Sequence, residues 1–336
     1  MKALFFGFLT LLAIGISGAV ARSAVGAAPA LSGTITLYTS ESEDDVNFLA
    51  QDFMRRTPGT GVRIFRAGSG PVEAKLDAEM QAGRVEADVI WFADLGFFQN
   101  LARRGLLLPY RPPAAGRIPP AFHYAGDQFH EVRLIFNVVG FNTAQVRFPP
   151  SSWWDLTLPR YRGRAGMPSP FISGAAFAQV GTFAALPEFG WSFYQKLAQN
   201  KALVYPSNGD VIEKLASGEI SVGVVVDFFV RAAKKQGSPV DYTVPKEGAM
   251  LVPTPVAIIK GSGNLEAARA FVNYLYTPDA QRLFASRAYI PILPDVPLPS
   301  GAVDTAGIKI IQPNLGYIEQ NREEIKRRFA ALFGSP

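Results

Sequence analysis

The feature that most restricts the fold of this chain is a strand–helix alternation repeated three times between Gly33 and Gly105. Residues 33–39, Gly-Thr-Ile-Thr-Leu-Tyr-Thr, alternate and are rich in β-branched side chains, the pattern of a strand. Val46, Leu49, Ala50, Phe53 and Met54 then recur at helical spacing, behind acidic residues suited to the positive end of a helix. Residues 62–66 form a second expected strand. Gly68-Ser69-Gly70-Pro71 opens a second helix, with Pro71 expected at its first helical position. Residues 87–92, Ala-Asp-Val-Ile-Trp-Phe, read as a buried third strand, and residues 97–104 as a short helix. Such an order implies a parallel sheet with helices on both faces. In these folds ligands gather where strand carboxyl ends meet helix N-termini. Here those loops are residues 39–43, 67–70 and 93–96.

The rest of the chain continues in this manner. Residues 131–142 read as one strand, 175–186, 191–200 and 211–217 as helices, and 221–226 as a buried strand ending at Asp227. A further strand is expected at 256–259, helices at 265–276 and 278–285, and a helical tail from about Tyr317. A chain of 336 residues, 48% hydrophobic and 18% charged, has enough apolar surface for two cores. Cysteine is absent, which removes disulfides, thiolate metal sites and a cysteine nucleophile. The net charge of +5 is scattered, without the basic stripe that nucleic-acid binding needs, so no nucleic-acid partner is expected.

At the start, Lys2 precedes an apolar run from Ala3 to Val20. Small-x-small sites follow at Ala19-Val20-Ala21 and Val25-Gly26-Ala27. This is the layout of a secretory signal peptide, expected over residues 1–27, and it predicts a periplasmic protein.

Several segments together resemble a known family. They are Leu37-Tyr38-Thr39-Ser40, residues 87–92, Asn137 to Asn142, Ser151-Ser152-Trp153-Trp154-Asp155-Leu156, residues 218–223, residues 266–271, and Pro278-Asp279-Ala280-Gln281. In order and spacing the chain resembles the substrate-binding proteins of ferric-type ABC importers, within the type II periplasmic binding fold. The resemblance implies an α/β protein of two lobes, each a mostly parallel sheet flanked by helices, joined by two hinge strands. The expected boundaries are 32–134 and 257–295 for lobe one, and 135–256 and 296–336 for lobe two. It also implies a ligand in the interlobe cleft and a membrane permease as partner.

The family's iron site does not carry over. Where ferric-binding members have adjacent tyrosines this chain has Asp227-Phe228-Phe229, and phenyl rings cannot ligate a metal. Their histidine loop reads Ser40-Glu41-Ser42-Glu43, their glutamate position is Asp94, and His123 and His130 lie elsewhere. No metal and no cofactor are expected; a ferric or other metal receptor is the alternative reading. The anion part does carry over. Ser173-Gly174-Ala175-Ala176 matches the family's anion-binding turn at a helix start, and Asn208 its asparagine. Free N–H groups, the helix dipole and a glycine that admits close approach make such a start an anion site. The other meaning of a serine there is an ordinary helix cap.

The candidate ligand-binding residues are therefore Ser40, Ser42, Ser69, Asp94, Ser173, Gly174, Ala175, Asn208 and Asp227. Asp94 and Asp227 follow buried strands and are expected to face the cleft and accept hydrogen bonds from hydroxyl or ammonium groups. Arg66 and Arg133 are positioned to meet an anionic oxygen. Tyr38, Trp91, Phe92, Phe228 and Phe229 are candidates to stack on a ligand or to fill the core. No nucleophile elbow, P-loop, dinucleotide glycine pattern or zinc-protease motif is present, so a periplasmic hydrolase is a remote alternative and no catalytic residue is assigned. The expectation is a monomeric solute-binding protein for a small anion with a phosphate or phosphonate group, such as 2-aminoethylphosphonate or a sugar phosphate.

Overall fold

A computed structural model describes Met1 and residues 31–122 and 124–334. The expected signal peptide and His123 lie outside the described residues.

The strand–helix alternation builds the first lobe. Its sheet has the order β2-β1-β3-β12-β4, from Thr60–Arg66, Gly33–Thr39, Val89–Trp91, Pro255–Ile258 and His130–Glu131. β1 runs parallel to β2 and β3, as successive strand–helix units demand. α1 (Glu43–Arg56), α2 (Ser69–Gln81) and α3 (Leu95–Arg103) connect them. Pro71 stands two residues into α2, whose cap is Gly68, rather than at the first helical position.

The segment read as one strand over 131–142 is three: β4, β5 (Arg133–Leu134) and β6 (Phe136–Asn142). The break is the crossing between lobes. Glu131 pairs with Pro255 in the first sheet, and Phe136 pairs with Leu251 in the second. The return crossing runs between Leu251 and Pro255. The strands that arrive through crossings lie antiparallel to their neighbours: β12 to β3, and β6 to β9 (Val222–Val226).

The second sheet adds β7 (Ala165–Pro168), β8 (Leu203–Tyr205), β10 (Val240–Thr243) and β11 (Ala249–Leu251) to β6 and β9. Around it lie α4 (Gly174–Ala185), α5 (Gly190–Gln199), α6 (Asn208–Ser217) and α7 (Asp227–Lys235). α8 (Leu265–Leu275) and α9 (Pro278–Ser286) return to the first lobe, ending at β13 (Ile290–Pro291), which pairs with β5. The chain then passes to the second sheet a last time. β14 (Ile310–Ile311) pairs with β11, and α10 (Leu315–Gln320) and α11 (Arg322–Phe333) follow. Among the described residues, no helix is long and apolar enough to cross a membrane.

The two hinge crossings are pinned to each other by a buried acid. Glu131 accepts hydrogen bonds from the backbone N–H of Thr254 at 2.8 Å, its hydroxyl at 3.0 Å and the Tyr124 hydroxyl at 3.0 Å. Burial pushes the Glu131 carboxyl up to about 7. The folded chain therefore holds this proton over a range where the unfolded chain has released it. Its stabilising contribution is complete below the ordinary glutamate range and is lost as pH rises toward 7. The Glu131→Gln variant mimics the protonated acid. Denaturant titrations should find it equal to the parent at pH 4 and more stable by up to about 3 kcal/mol at pH 8. Parallel stability–pH curves for the two proteins would contradict this assignment.

Candidate functional site

The cleft between the lobes holds a cavity of about 240 Å³. Its geometry follows from where the helices begin. The starts of α1, α2, α4, α6 and α7 all line it, through Ser42, Ser69, Ser173, Ser207 and Phe228 among others. Each helix start carries N–H groups without intrahelical partners and a partial positive charge. Five of them around one small space make that space receptive to negative charge.

Two of these ends, α2 of lobe one and α4 of lobe two, come close together. A Cβ on Gly174 would lie 2.6 Å from the Ser69 Oγ and 1.7 Å from the Ala93 carbonyl oxygen. Gly68 and Gly70 make the matching approach: a Cβ on either would fall within 2.6 Å of the Ile172 or Phe171 carbonyl oxygen. Ser69 is 2% exposed, and its hydroxyl has no partner among the described residues. Gly68 supplies no side-chain cap for α2.

The other candidates divide by how their polar atoms are occupied. Ser173 caps α4 by accepting from the Ala176 N–H at 3.3 Å and also accepts from the Asn208 amide at 3.2 Å. Asn208 accepts in turn from the Val226 N–H at 3.1 Å, so it braces the starts of α4 and α7 against each other. Ser42 caps α1 and donates to Asp45 at 2.7 Å. Ser40 accepts from the Ala93 N–H at 3.4 Å. Ala175 lines the cavity beside Gly174, and its carbonyl accepts from the Asn137 amide at 2.8 Å.

Asp94 and Asp227 do not line this cavity, and here the sequence expectation is corrected. Asp94 caps α3, accepting from the Phe97 N–H at 2.9 Å, and receives Arg322 at 2.6 Å. Asp227 is wholly buried. It accepts from the Phe136 N–H at 3.0 Å and from Arg231, one helical turn on, at 2.7 Å. Both carboxylates are spent on structure because burial demands a partner, and each has an arginine. Tyr38, Trp91 and Phe92 are core residues away from the cavity, whereas Phe228 and Phe229 form its apolar wall, 4.2 Å apart by ring centroids.

Lobe one contributes two arginines to the lining. Arg133 is 2% exposed, paired with Glu41, bonded to the Thr254 hydroxyl at 3.1 Å and stacked 4.0 Å over the Tyr289 ring. Burial raises the Glu41 carboxyl, and the Arg133 charge opposes that rise. Arg66 gives only its Nε to the protein, donating to the Glu41 carbonyl at 2.9 Å, and has no carboxylate partner among the described residues. Glu41, Thr254, Ser207, Ile135 and Ile172 also belong to the lining, with Glu43 among others, and were not singled out from sequence. They come from the crossings and loop ends, whose convergence no local pattern encodes. Among the described residues no three acidic or histidine side chains gather into a metal-holding cluster.

Comparison with known proteins agrees with this architecture. Residues 86–312 match the family model described as bacterial extracellular solute-binding protein. The periplasmic binding protein AfuA of Actinobacillus pleuropneumoniae, solved with fructose 6-phosphate, is 24% identical. It superposes with a TM-score of 0.80 over 91% of this chain and 100% of that one. The substrate-binding protein of an ABC transporter from Agrobacterium tumefaciens has a TM-score of 0.81 at 16% identity, over 90% of this chain and 97% of that one. The phosphoglycerate transport regulatory protein PgtC of Salmonella typhimurium is 24% identical over 77% of this chain. The match spans 66% of its own length, just under two thirds. The chain has the type II periplasmic binding fold and belongs to the bacterial extracellular solute-binding protein family.

Proposed function

We propose that this protein is exported by its N-terminal leader, works in the periplasm as a monomer, and delivers a small phosphate- or phosphonate-bearing solute to the permease of an ABC importer. The observation that carries the proposal is the meeting of two helix starts at Ser69 and Gly174. Two positive helix ends repel when brought together and are drawn together by an anion in the cavity that both of them line. The Ser69 hydroxyl, which lines the cavity and has no partner among the described residues, supplies a further donor there. The anion is thus the group for which both lobes compete, and it favours closure because only the closed form offers both ends to it.

The rest of the cavity supports a sugar phosphate over an aminoalkylphosphonate. The two aspartates are occupied by Arg231 and Arg322 and the lining Glu41 by Arg133, which leaves the exposed Glu43 as the lining carboxylate for an ammonium group. Arg66 and Thr254 face the space instead, beside the Phe228–Phe229 wall. A guanidinium fork and a hydroxyl suit sugar oxygens, and a phenyl face suits the apolar side of a sugar ring. The fructose 6-phosphate held by AfuA and the phosphoglycerate in the name of PgtC are in keeping with this class.

A thermal-shift series on the mature chain tests the reading. Fructose 6-phosphate should raise the melting temperature, and at a hundred times Kd the gain in stability is about 2.7 kcal/mol. 2-Aminoethylphosphonate should act more weakly, and ferric citrate and neutral fructose not at all. Ser69→Ala should weaken phosphate-ester binding about tenfold, the worth of one hydrogen bond to a charged group. A response to ferric salt or neutral sugar alone would refute the anion site. Release of inorganic phosphate from fructose 6-phosphate would refute the binding role.

A further inference from the structure

The C-terminal helices lie across the seam between the lobes. Ile325 and Phe329 of α11 and Ile318 of α10 belong to the second lobe's core, and a Cβ on Gly181 of α4 would lie 2.5 Å from Ile318. Leu315, at the other end of α10, packs instead on the first lobe's core beside Leu95 and Phe98. Arg322, the first residue of α11, reaches the same way. Its Nη1 donates to Glu73 of α2 at 2.9 Å and its Nη2 to Asp94 at 2.6 Å, while its guanidinium rests 4.7 Å over the Phe177 ring of α4.

We infer that Arg322 is a positioning residue: a tie from the second lobe to two first-lobe carboxylates that sets how readily the cleft closes. The two acids it grips hold the parts of lobe one that face α4. Glu73 lies one turn beyond Ser69 on α2. Asp94 follows Ala93, whose carbonyl meets Gly174. Both acids are buried and next to one another. Burial, and then the Asp94 charge, hold the Glu73 carboxyl well above its usual range. Without a cation between them, bringing the seam together takes two adjoining acids out of water, so that either a proton must be taken up or like charges are confined. With Arg322 in place, closing brings its fork to both. The neighbouring Arg103–Glu319 pair also spans the seam but is largely solvated and adds little. The role is independent of which solute the cleft takes, since Arg322 does not line the cavity.

The test uses the full mature chain. In small-angle scattering without solute, Arg322→Gln should shift the population toward a more extended form, with only a modest fall in melting temperature because each lobe keeps its own core and opening returns Glu73 and Asp94 to water. Fructose 6-phosphate should dissociate about tenfold faster from the variant, with its association rate little altered. Adding Glu73→Gln and Asp94→Asn, which keeps a good cap on α3, should restore both compaction and dissociation rate toward the parent. Arg322→Lys should fall between. Unchanged scattering in Arg322→Gln overturns the proposal. So does a loss of compaction that the two neutralising substitutions fail to rescue, which would mark Arg322 as a packing residue only. The scattering arm needs no solute and decides the matter even if no phosphate ester binds.

Discussion

Gly174→Val is expected to abolish tight binding while the chain still folds. Gly174 is the first residue of α4, and its φ lies outside the left-handed region, so a β-branched side chain is tolerated by the local backbone. The obstacle is across the seam. The Cβ alone would sit 1.7 Å from the Ala93 carbonyl oxygen and 2.6 Å from the Ser69 Oγ. Neither a carbonyl fixed in the first lobe nor a buried serine can retreat by the necessary distance, so the lobes must stay apart. The solute then keeps its contacts with α4, α6 and α7 and loses those with α2 and Arg66. Two or more hydrogen bonds to a charged group go with them, a weakening of at least ~100-fold, or about 2.8 kcal/mol. Calorimetric titration with fructose 6-phosphate reads the affinity. The melting temperature without solute should change little. Tight binding by the variant would show that the anion does not bridge these two helix ends from the cavity.

Asp227→Ala should have the opposite profile, a large loss of stability. Its carboxylate is wholly buried and joins the Phe136 N–H to Arg231. Arg231 keeps the Ala288 carbonyl and the Tyr242 hydroxyl, but no other carboxylate reaches it among the described residues. Removing one member of a buried ion pair leaves an uncompensated charge and costs about 3–5 kcal/mol. For a chain of this size that corresponds to a fall of roughly 5–8 °C in melting temperature. Affinity measured well below the transition should hold. A variant that melts like the parent but binds poorly would return Asp227 to the ligand and undo the structural role given to it here.

These two residues also mark how far sequence carries. The strand–helix repeat and the Ser173-Gly174 turn were legible because each is a local pattern with its own physical signature. The positions of Asp94 and Asp227 after buried strands were legible in the same way, but their roles were not. Arg231 stands four residues after Asp227 on one helix face, a spacing that was open to reading. α7 itself has no capping side chain to mark its start, because Val226 precedes it. Arg322 lies far along the chain from Asp94, and no local pattern joins them. The break of the strand at the hinge leaves no local mark for a related reason. A strand handed from one sheet to another keeps its apolar sequence throughout, so residues 131–142 look continuous although their partners change. The convergence of five helix starts belongs to the topology, and each of them alone looks like an ordinary cap.

The third passage of the chain between lobes, from β13 to β14, has a mechanical consequence. Two adjacent strands make a pivot. The third connection begins on β5 and ends on β11, beside both crossings, and Ile292, Leu293 and Val296 along it are buried in the core. It therefore stiffens the pivot, so the jaws should swing about one axis and resist twisting.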